Sequence, residues 1–410
     1  MTDTAQLTDN MRQVEPDTIE QELDNSWRQE NASALAAGGH AASRSSVLTL
    51  VVYTSDEASA DRTMRAIGSL TTQHPSRSIV VTSQDKTASG KPLEAYISTK
   101  TMSANGVTSS GEQVVLCATQ SAAEHLAGSI LPLIVSGLPS FLWWEGVPPW
   151  NAGHFEATLD GFDRFLVDTA DMGQVERNLL LLDELVRRKK SSVAISDFNF
   201  ARFGPWRELV AQFFDPPELR SYLNGVEQVT IEYAAGDEND PVNPAQAYLF
   251  AGWLAARLGW RPIGASAERV VEGQREITLV DALGHKINLA LNARYGVRVG
   301  RWLEMTPTSE DRQGPATVAA GALMSVYIRA QSNGSVATFT AAREADLEHA
   351  STHCQAPQGG MPSQTVHMPT LGEGSSLGAE LQQLSHDGLF EAALAAIAPA
   401  LETSMRRARR

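Results

Sequence analysis

Residues 47–82 read VLTLVVYTSDEASADRTMRAIGSLTTQHPSRSIVVT, two short apolar runs on either side of a polar, helix-forming stretch. Val47–Tyr53 and Ser78–Thr82 have the length and β-branched content of buried strands, and the Asp-rich start near Asp56–Asp61 marks a helix between them. Strand, helix, strand is the unit from which parallel sheets are built. Toward the C terminus the alternation continues. Strands are expected at Leu93–Thr99 and Glu112–Ala118, a helix at Ser121–Leu131, strands at Pro139–Trp144 and Arg164–Asp168, and a long helix at Gly173–Lys189. Residues 47–190 therefore read as an α/β domain, a mostly parallel sheet with flanking helices.

From 191 the rhythm changes. Helices are predicted at Pro205–Phe214 and Pro244–Leu258 around a strand at Gln228–Tyr233, followed by strands with no helical period between them. These are Glu268–Val280, Lys286–Leu291, Val297–Glu304, Leu323–Arg329 and Val336–Ala342. Short connections holding Gly284 and Gly334 suit an antiparallel meander, so residues 191–344 read as an α+β domain. Residues 345–375 turn polar and Gly/Pro-rich and are expected to be a flexible insert, and 376–410 a helical segment. At the other end, residues 1–46 form a tail. Its Ile19, Leu23 and Trp27 recur every four residues and predict a docking helix, and Ala34–Ser46 reads as a disordered linker.

Composition narrows the partners. The chain has 410 residues, with 33 Lys and Arg against 48 Asp and Glu. The resulting net charge of −15 repels phosphate backbones and anionic headgroups, so neither nucleic acid nor a membrane surface is an expected partner. Leu126–Trp144 is long and uncharged, but Pro132, Gly137 and Pro139 break it into soluble-protein pieces. Two cysteines are too few for a disulfide scaffold and Met1–Asn31 is polar, which predicts a cytoplasmic protein.

Catalytic motifs are scarce. GEGSSLG (Gly372–Gly378) has the look of a dinucleotide fingerprint, yet no apolar strand precedes it and too little chain follows for a βαβ unit. HASTHC (His349–Cys354) would place two imidazoles on one helical face beside a thiol, but no fourth ligand is near. No metal and no cofactor is expected. Cys117 lies in an apolar strand pattern as a small hydrophobe, whereas Cys354 lies in a polar segment and is expected to be reachable by redox partners. The unusual feature is aromatic: FLWWEGVPPW (Phe141–Trp150) and DFNFARFGPWRELVAQFFD (Asp197–Asp215), in which Pro205 opens a helix and Trp206, Leu209, Val210 and Phe213 form its apolar face. Such blocks are either an internal junction or a partner surface.

With TIEQELDNSW near the start, HPSRSIVV at His74–Val81 and GEGSSLGAELQQLSHDGLFEAAL near the end, these two blocks resemble the glucose-6-phosphate dehydrogenase assembly protein (OpcA) family of cyanobacteria and actinobacteria. The length and the polar insert resemble the cyanobacterial branch. The resemblance implies a non-catalytic partner that promotes the active oligomer of glucose-6-phosphate dehydrogenase in the oxidative pentose phosphate pathway, acting allosterically by binding the active form more tightly. It also implies redox control through thioredoxin. With only Cys354 in the C-terminal part, such a switch would need Cys117, a mixed disulfide or a cysteine on the dehydrogenase. Trp143, Trp144, Asp197, Trp206 and Arg207 are the residues expected to build or brace the dehydrogenase-binding region. The competing readings are an enzyme acting on a sugar phosphate at the sheet's C-terminal edge and a thiol or metal redox sensor.

Overall fold

The computed structural model describes residues 11–36, 46–70, 74–104, 107–123, 126–189, 192–237, 242–263, 268–271, 274–300, 316–357, 359, 361–368 and 376–408. The centre of the expected linker, the arginines at 409–410, the end of the strand expected over Val297–Glu304 and the glycine-rich start of GEGSSLG lie outside these residues. The chain forms two compact units. Residues 1–167, 189–196 and 377–386 make the first, and 168–188, 197–376 and 387–410 the second. The boundary expected at 190 is thus not a single crossing. The helix expected to close the first domain belongs to the second unit, where Glu176 at its start accepts a bond from Tyr248 Oη at 3.1 Å and pairs with Arg275.

The first unit is an eight-stranded sheet. Its elements are β1 (Arg12–Val14), α1 (Ile19–Ala36), β2 (Leu48–Thr54), α2 (Glu57–Leu70), β3 (Ser76–Gln84), β4 (Leu93–Ala104), β5 (Val107–Thr119), β6 (Ser140–Trp144), α3 (Gly153–Leu159), β7 (Arg164–Val167) and, after the long helix α4 (Val175–Lys189), β8 (Ala194–Asp197). The strand order is β1-β4-β5-β3-β2-β6-β7-β8. Strands β5, β3, β2, β6 and β7 are parallel to one another, while β4 pairs antiparallel with β5 and β1 antiparallel with β4. Every residue of β2 is buried, as its mostly apolar, β-branched sequence suits a strand covered on both faces.

The docking helix is present, with Ile19, Leu23 and Trp27 buried on one face of α1. The Trp27 indole N–H donates to Glu112 Oε1 at 2.7 Å, and Arg77, 3% exposed on β3, donates Nε to Glu112 Oε2 at 2.7 Å. Arg77 also donates to the Leu133 carbonyl at 2.8 Å and pairs with Glu20. A second buried arginine ties the C-terminal segment to this unit. Arg164 donates to the Ser385 carbonyl at 2.6 Å and to Glu380 at 2.9 Å, the latter on α8 (Ser376–Gln382), and also to Ser196.

The second unit is built on a nine-stranded mixed sheet. It includes α5 (Phe198–Arg202), α6 (Gly204–Gln212), β9 (Val226–Ala234), α7 (Ala245–Leu258), β10 (Arg261–Pro262), β11 (Glu268–Val271), β12 (Gln274–Val280) and β13 (Lys286–Arg294). Then come a small parallel pair, β14 (Val299–Gly300) with β15 (Val318–Ala319), and the strands β16 (Leu323–Ser332), β17 (Ser335–Arg343), β18 (His349–Gln355) and β19 (Thr365–His367). The helix α9 (Gly388–Ala408) ends the described chain. β16 and β17 pair antiparallel as the expected meander requires, and β18 and β19 continue it beyond the strands expected there. One addition is topological: β9 lies between β13 and β16, parallel to the first and antiparallel to the second. The strand expected over Glu268–Val280 is a hairpin of two, with Val271 opposite Gln274.

The insert expected to be flexible holds β18 and β19. Ala350, Thr352 and Cys354 are buried while His353 and Gln355 are exposed, a period of two that a polar strand keeps when only one face meets a core. HASTHC is therefore a strand and not a helix, and Cys354 points away from the two histidines. Among the described residues no helix is long and apolar enough to cross a membrane.

Candidate functional site

FLWWEGVPPW begins as β6. The strand is buried on both faces through Trp143, 1% exposed, and only its last residue, Trp144, is partly open. Trp144 is the register partner of Tyr53 on the neighbouring parallel strand, and the two rings stack at 4.3 Å and 9°. Phe155 of α3 meets Trp144 edge-on at 5.4 Å and Trp150 at 6.2 Å. Beyond the strand, Gly146 takes a φ of 72°, a left-handed turn that glycine adopts without strain. Pro148 and Pro149 then stiffen a short knuckle carrying Val147, 46% exposed. The sequence thus concentrates indoles to make a wall and a rigid lip at the C-terminal end of β6.

In the second unit, DFNFARFGPWRELVAQFFD starts with Asp197 at the N-cap of α5. Its carboxylate, 2% exposed, accepts from Thr169 N at 2.9 Å, Thr169 Oγ1 at 2.7 Å and Asn199 N at 3.0 Å. Burial and then the nearby Asp168 charge push its pKa up to about 7, against the pull of those hydrogen bonds. Asp168 caps the turn Thr169–Asp171 and grips Arg202 bidentately. Asn243 donates to the Ala170 carbonyl at 2.7 Å, and Gln246 links Asn199 Oδ1 at 3.0 Å to the Leu323 N–H at 2.6 Å. Each of these bonds ends on another member of the cluster, which locks three segments together.

Next to it, Trp206 is 1% exposed on the buried face of α6 with Leu209 and Val210, as Pro205 and the helical period predict. Arg207 lies on the other side, its guanidinium 4.2 Å from the Phe200 ring centroid and 5.0 Å from that of Phe203. It also donates to the Phe200 carbonyl at 3.1 Å. Burial lowers its pKa, offset by Asp387 and Glu208. Of the predicted site residues, Trp143 and Trp144 belong to the first unit and Asp197, Trp206 and Arg207 to the second. Trp143, Asp197 and Trp206 are buried, and Trp144 and Arg207 are partly exposed.

The thiols depart from expectation in one respect. Cys117 is fully buried on β5, its pKa pushed up to about 12 by burial and by Glu57 and Glu94. Cys354, expected to be reachable, is 4% exposed, because the alternation of β18 turns it into the core. Its pKa is raised by burial, against one backbone N–H from Met361. Neither sulfur has the electropositive surroundings of a reactive thiolate. Among the described residues no group of His, Cys, Asp and Glu is arranged to hold a metal ion.

Sequence reasoning missed Tyr53, Arg77 and Arg164. Each arginine is a buried cation at the start of a strand, Arg77 between two serines and Arg164 at the first position of β7. Their carboxylates, Glu112 and Glu380, could not be assigned without the sheet order.

Residues 68–184 match the family model for the N-terminal domain of the glucose-6-phosphate dehydrogenase subunit, and residues 193–394 match the model for its C-terminal domain. The chain belongs to this family of glucose-6-phosphate dehydrogenase assembly proteins. Its relatives include a protein of Nostoc punctiforme named as a candidate OxPP cycle protein, OpcA, 38% identical over 41% of this chain and 34% of that protein. A protein of the same name from Synechococcus elongatus is 26% identical over 71% of this chain and 59% of its own length. The matches thus span from a third to under two thirds of these relatives. Among solved structures, myo-inositol 2-dehydrogenase from Lactobacillus plantarum overlaps 88% of this chain and 98% of its own at 9% identity and a TM-score of 0.45, too slight a likeness to bear on chemistry.

Proposed function

We propose that this chain is a non-catalytic partner of glucose-6-phosphate dehydrogenase that binds the enzyme and favours its active oligomeric state. The observation that carries the reading is the match of both halves of the chain to the two domains of the dehydrogenase assembly family. The geometry supports it from another side: the charged groups of the Asp197 cluster are spent on one another, leaving no acid, base or nucleophile of that cluster poised over an open cleft. For docking, the surface groups are Trp144 and Arg207, with Val147 beside the first, and Trp143, Trp206 and Asp197 hold them rigid. Preorganised aromatic and arginine anchors lose little entropy on binding and are the commonest hot spots. Activation would follow from tighter binding to the active form of the dehydrogenase.

A thiol switch and a thioredoxin partner have weak footing, because both sulfurs are buried and protonated. Any dependence on reductant would then originate in the dehydrogenase. Sedimentation of an equimolar mixture with glucose-6-phosphate dehydrogenase tests the docking assignment. Trp144→Ala and Arg207→Ala should each weaken the complex at least tenfold with circular dichroism unchanged. Wild-type affinity in both would remove these residues from the interface.

A further inference from the structure

The strand order of the first unit determines where an architecture of this kind holds a ligand. From β5 through β3 to β2 the chain positions descend, and from β6 through β7 to β8 they climb. The reversal falls between β2 and β6, which run parallel, so their C-terminal ends flank one crevice. In sheets of order 3-2-1-4-5-6 this switch point receives the pyrophosphate of a dinucleotide. Binding there needs a glycine-rich turn after the first strand, unclaimed N–H groups at the start of the following helix, and room between the two strand ends.

This chain meets each requirement with its own side chains instead. The turn Thr54-Ser55-Asp56 contains no glycine. Asp56 Oδ1 accepts from the Ser59 N–H at 2.8 Å, so the first turn of α2 already has its anion, and Glu57 is a further acidic residue of that turn. Burial works to raise the Asp56 pKa, but hydrogen bonds from Ser59 and Ser55 and the Arg62 charge outweigh it and keep the group ionised. The stacked Tyr53 and Trp144 rings belong to the ends of β2 and β6, the two strands that flank the crevice, and Phe155 backs Trp144. Burial raises the Tyr53 pKa, so its phenol stays neutral.

We infer that this crevice is a dinucleotide site closed by the chain itself, with the Asp56 carboxylate in the pyrophosphate position and the Tyr53–Trp144 pair in the space beside it. The inference does not depend on which protein the chain docks with. Titration calorimetry of the full chain with NADP⁺, NAD⁺ and inorganic pyrophosphate tests it. Wild type should show no saturable heat at millimolar ligand. Asp56→Gly, a change at an exposed turn, should bind pyrophosphate saturably and still exclude NADP⁺, because the rings remain. NADP⁺ binding by wild type that quenches tryptophan emission, with the quench lost in Trp144→Phe, overturns the inference. So does a folded Asp56→Gly that takes no pyrophosphate.

Discussion

Replacing Arg77 by Ala examines how the first unit holds its N-terminal helix. In the native chain Arg77 and Glu112 are 3% and 1% exposed, and their 2.7 Å contact is backed by Trp27 on the carboxylate and by the Leu133 carbonyl on the guanidinium. Removing the arginine leaves the Glu112 carboxylate buried without that cation, a change that costs about 3–5 kcal/mol. The Leu133 carbonyl adds about 1 kcal/mol, and the half-exposed Glu20 pair contributes little, about 0–1 kcal/mol. The expected loss is thus about 4–7 kcal/mol by these estimates. Arg77→Met with Glu112→Leu replaces both charges with packed apolar groups and should recover most of it. Urea unfolding followed by circular dichroism gives the free energies, and amide exchange in α1 should rise in the single variant alone. A single substitution costing under about 1 kcal/mol, or a double variant as unstable as the single, would refute the reasoning.

Three further outcomes are expected. Gly252 sits where α7 meets α9, and a Cβ there would fall well inside contact distance of the Ala393 carbonyl. Gly252→Ala should therefore destabilise by about 2 kcal/mol or more, against a helix-propensity gain of about 1 kcal/mol, as thermal melting will show. Asp197 has a folded pKa of about 7 against an ordinary value of 3.8, so between those limits the native state holds a proton that the unfolded state has lost. Its contribution therefore favours folding less as pH rises from about 4 to 7 and is flat above. The difference in unfolding free energy between wild type and Asp197→Asn should move in that direction across this window. Both cysteines should alkylate at least a hundredfold more slowly than free cysteine in the native protein and fully after denaturation. Rapid native labelling of Cys354 would contradict its burial on β18.

Local signals carried the reading furthest where burial and periodicity agree. The mostly apolar, β-branched stretch Leu48–Thr54 made β2 recognisable, and the four-residue spacing of Ile19, Leu23 and Trp27 exposed the buried face of α1. Long-range pairing was invisible. Nothing local places Glu380 on Arg164, 216 residues away, or inserts β9 between β13 and β16. HASTHC misled because a polar strand at the flank of a sheet has the composition of a loop, and only its partner β17 discloses the alternation. At the candidate site the sequence marked the aromatic blocks, while the division into buried and partly exposed residues came from where β6 ends and how α6 is phased. Tyr53 looked like any core tyrosine until the β2–β6 register put it against Trp144.

The most direct test of the central claim is kinetic. This protein is titrated into glucose-6-phosphate dehydrogenase at sub-saturating glucose 6-phosphate, with and without a dithiol reductant, while NADPH formation is followed. Saturable activation is expected, and its reductant dependence, if any, should persist when Cys117 and Cys354 are both replaced by Ser. An unchanged rate at a concentration where no complex sediments would contradict it.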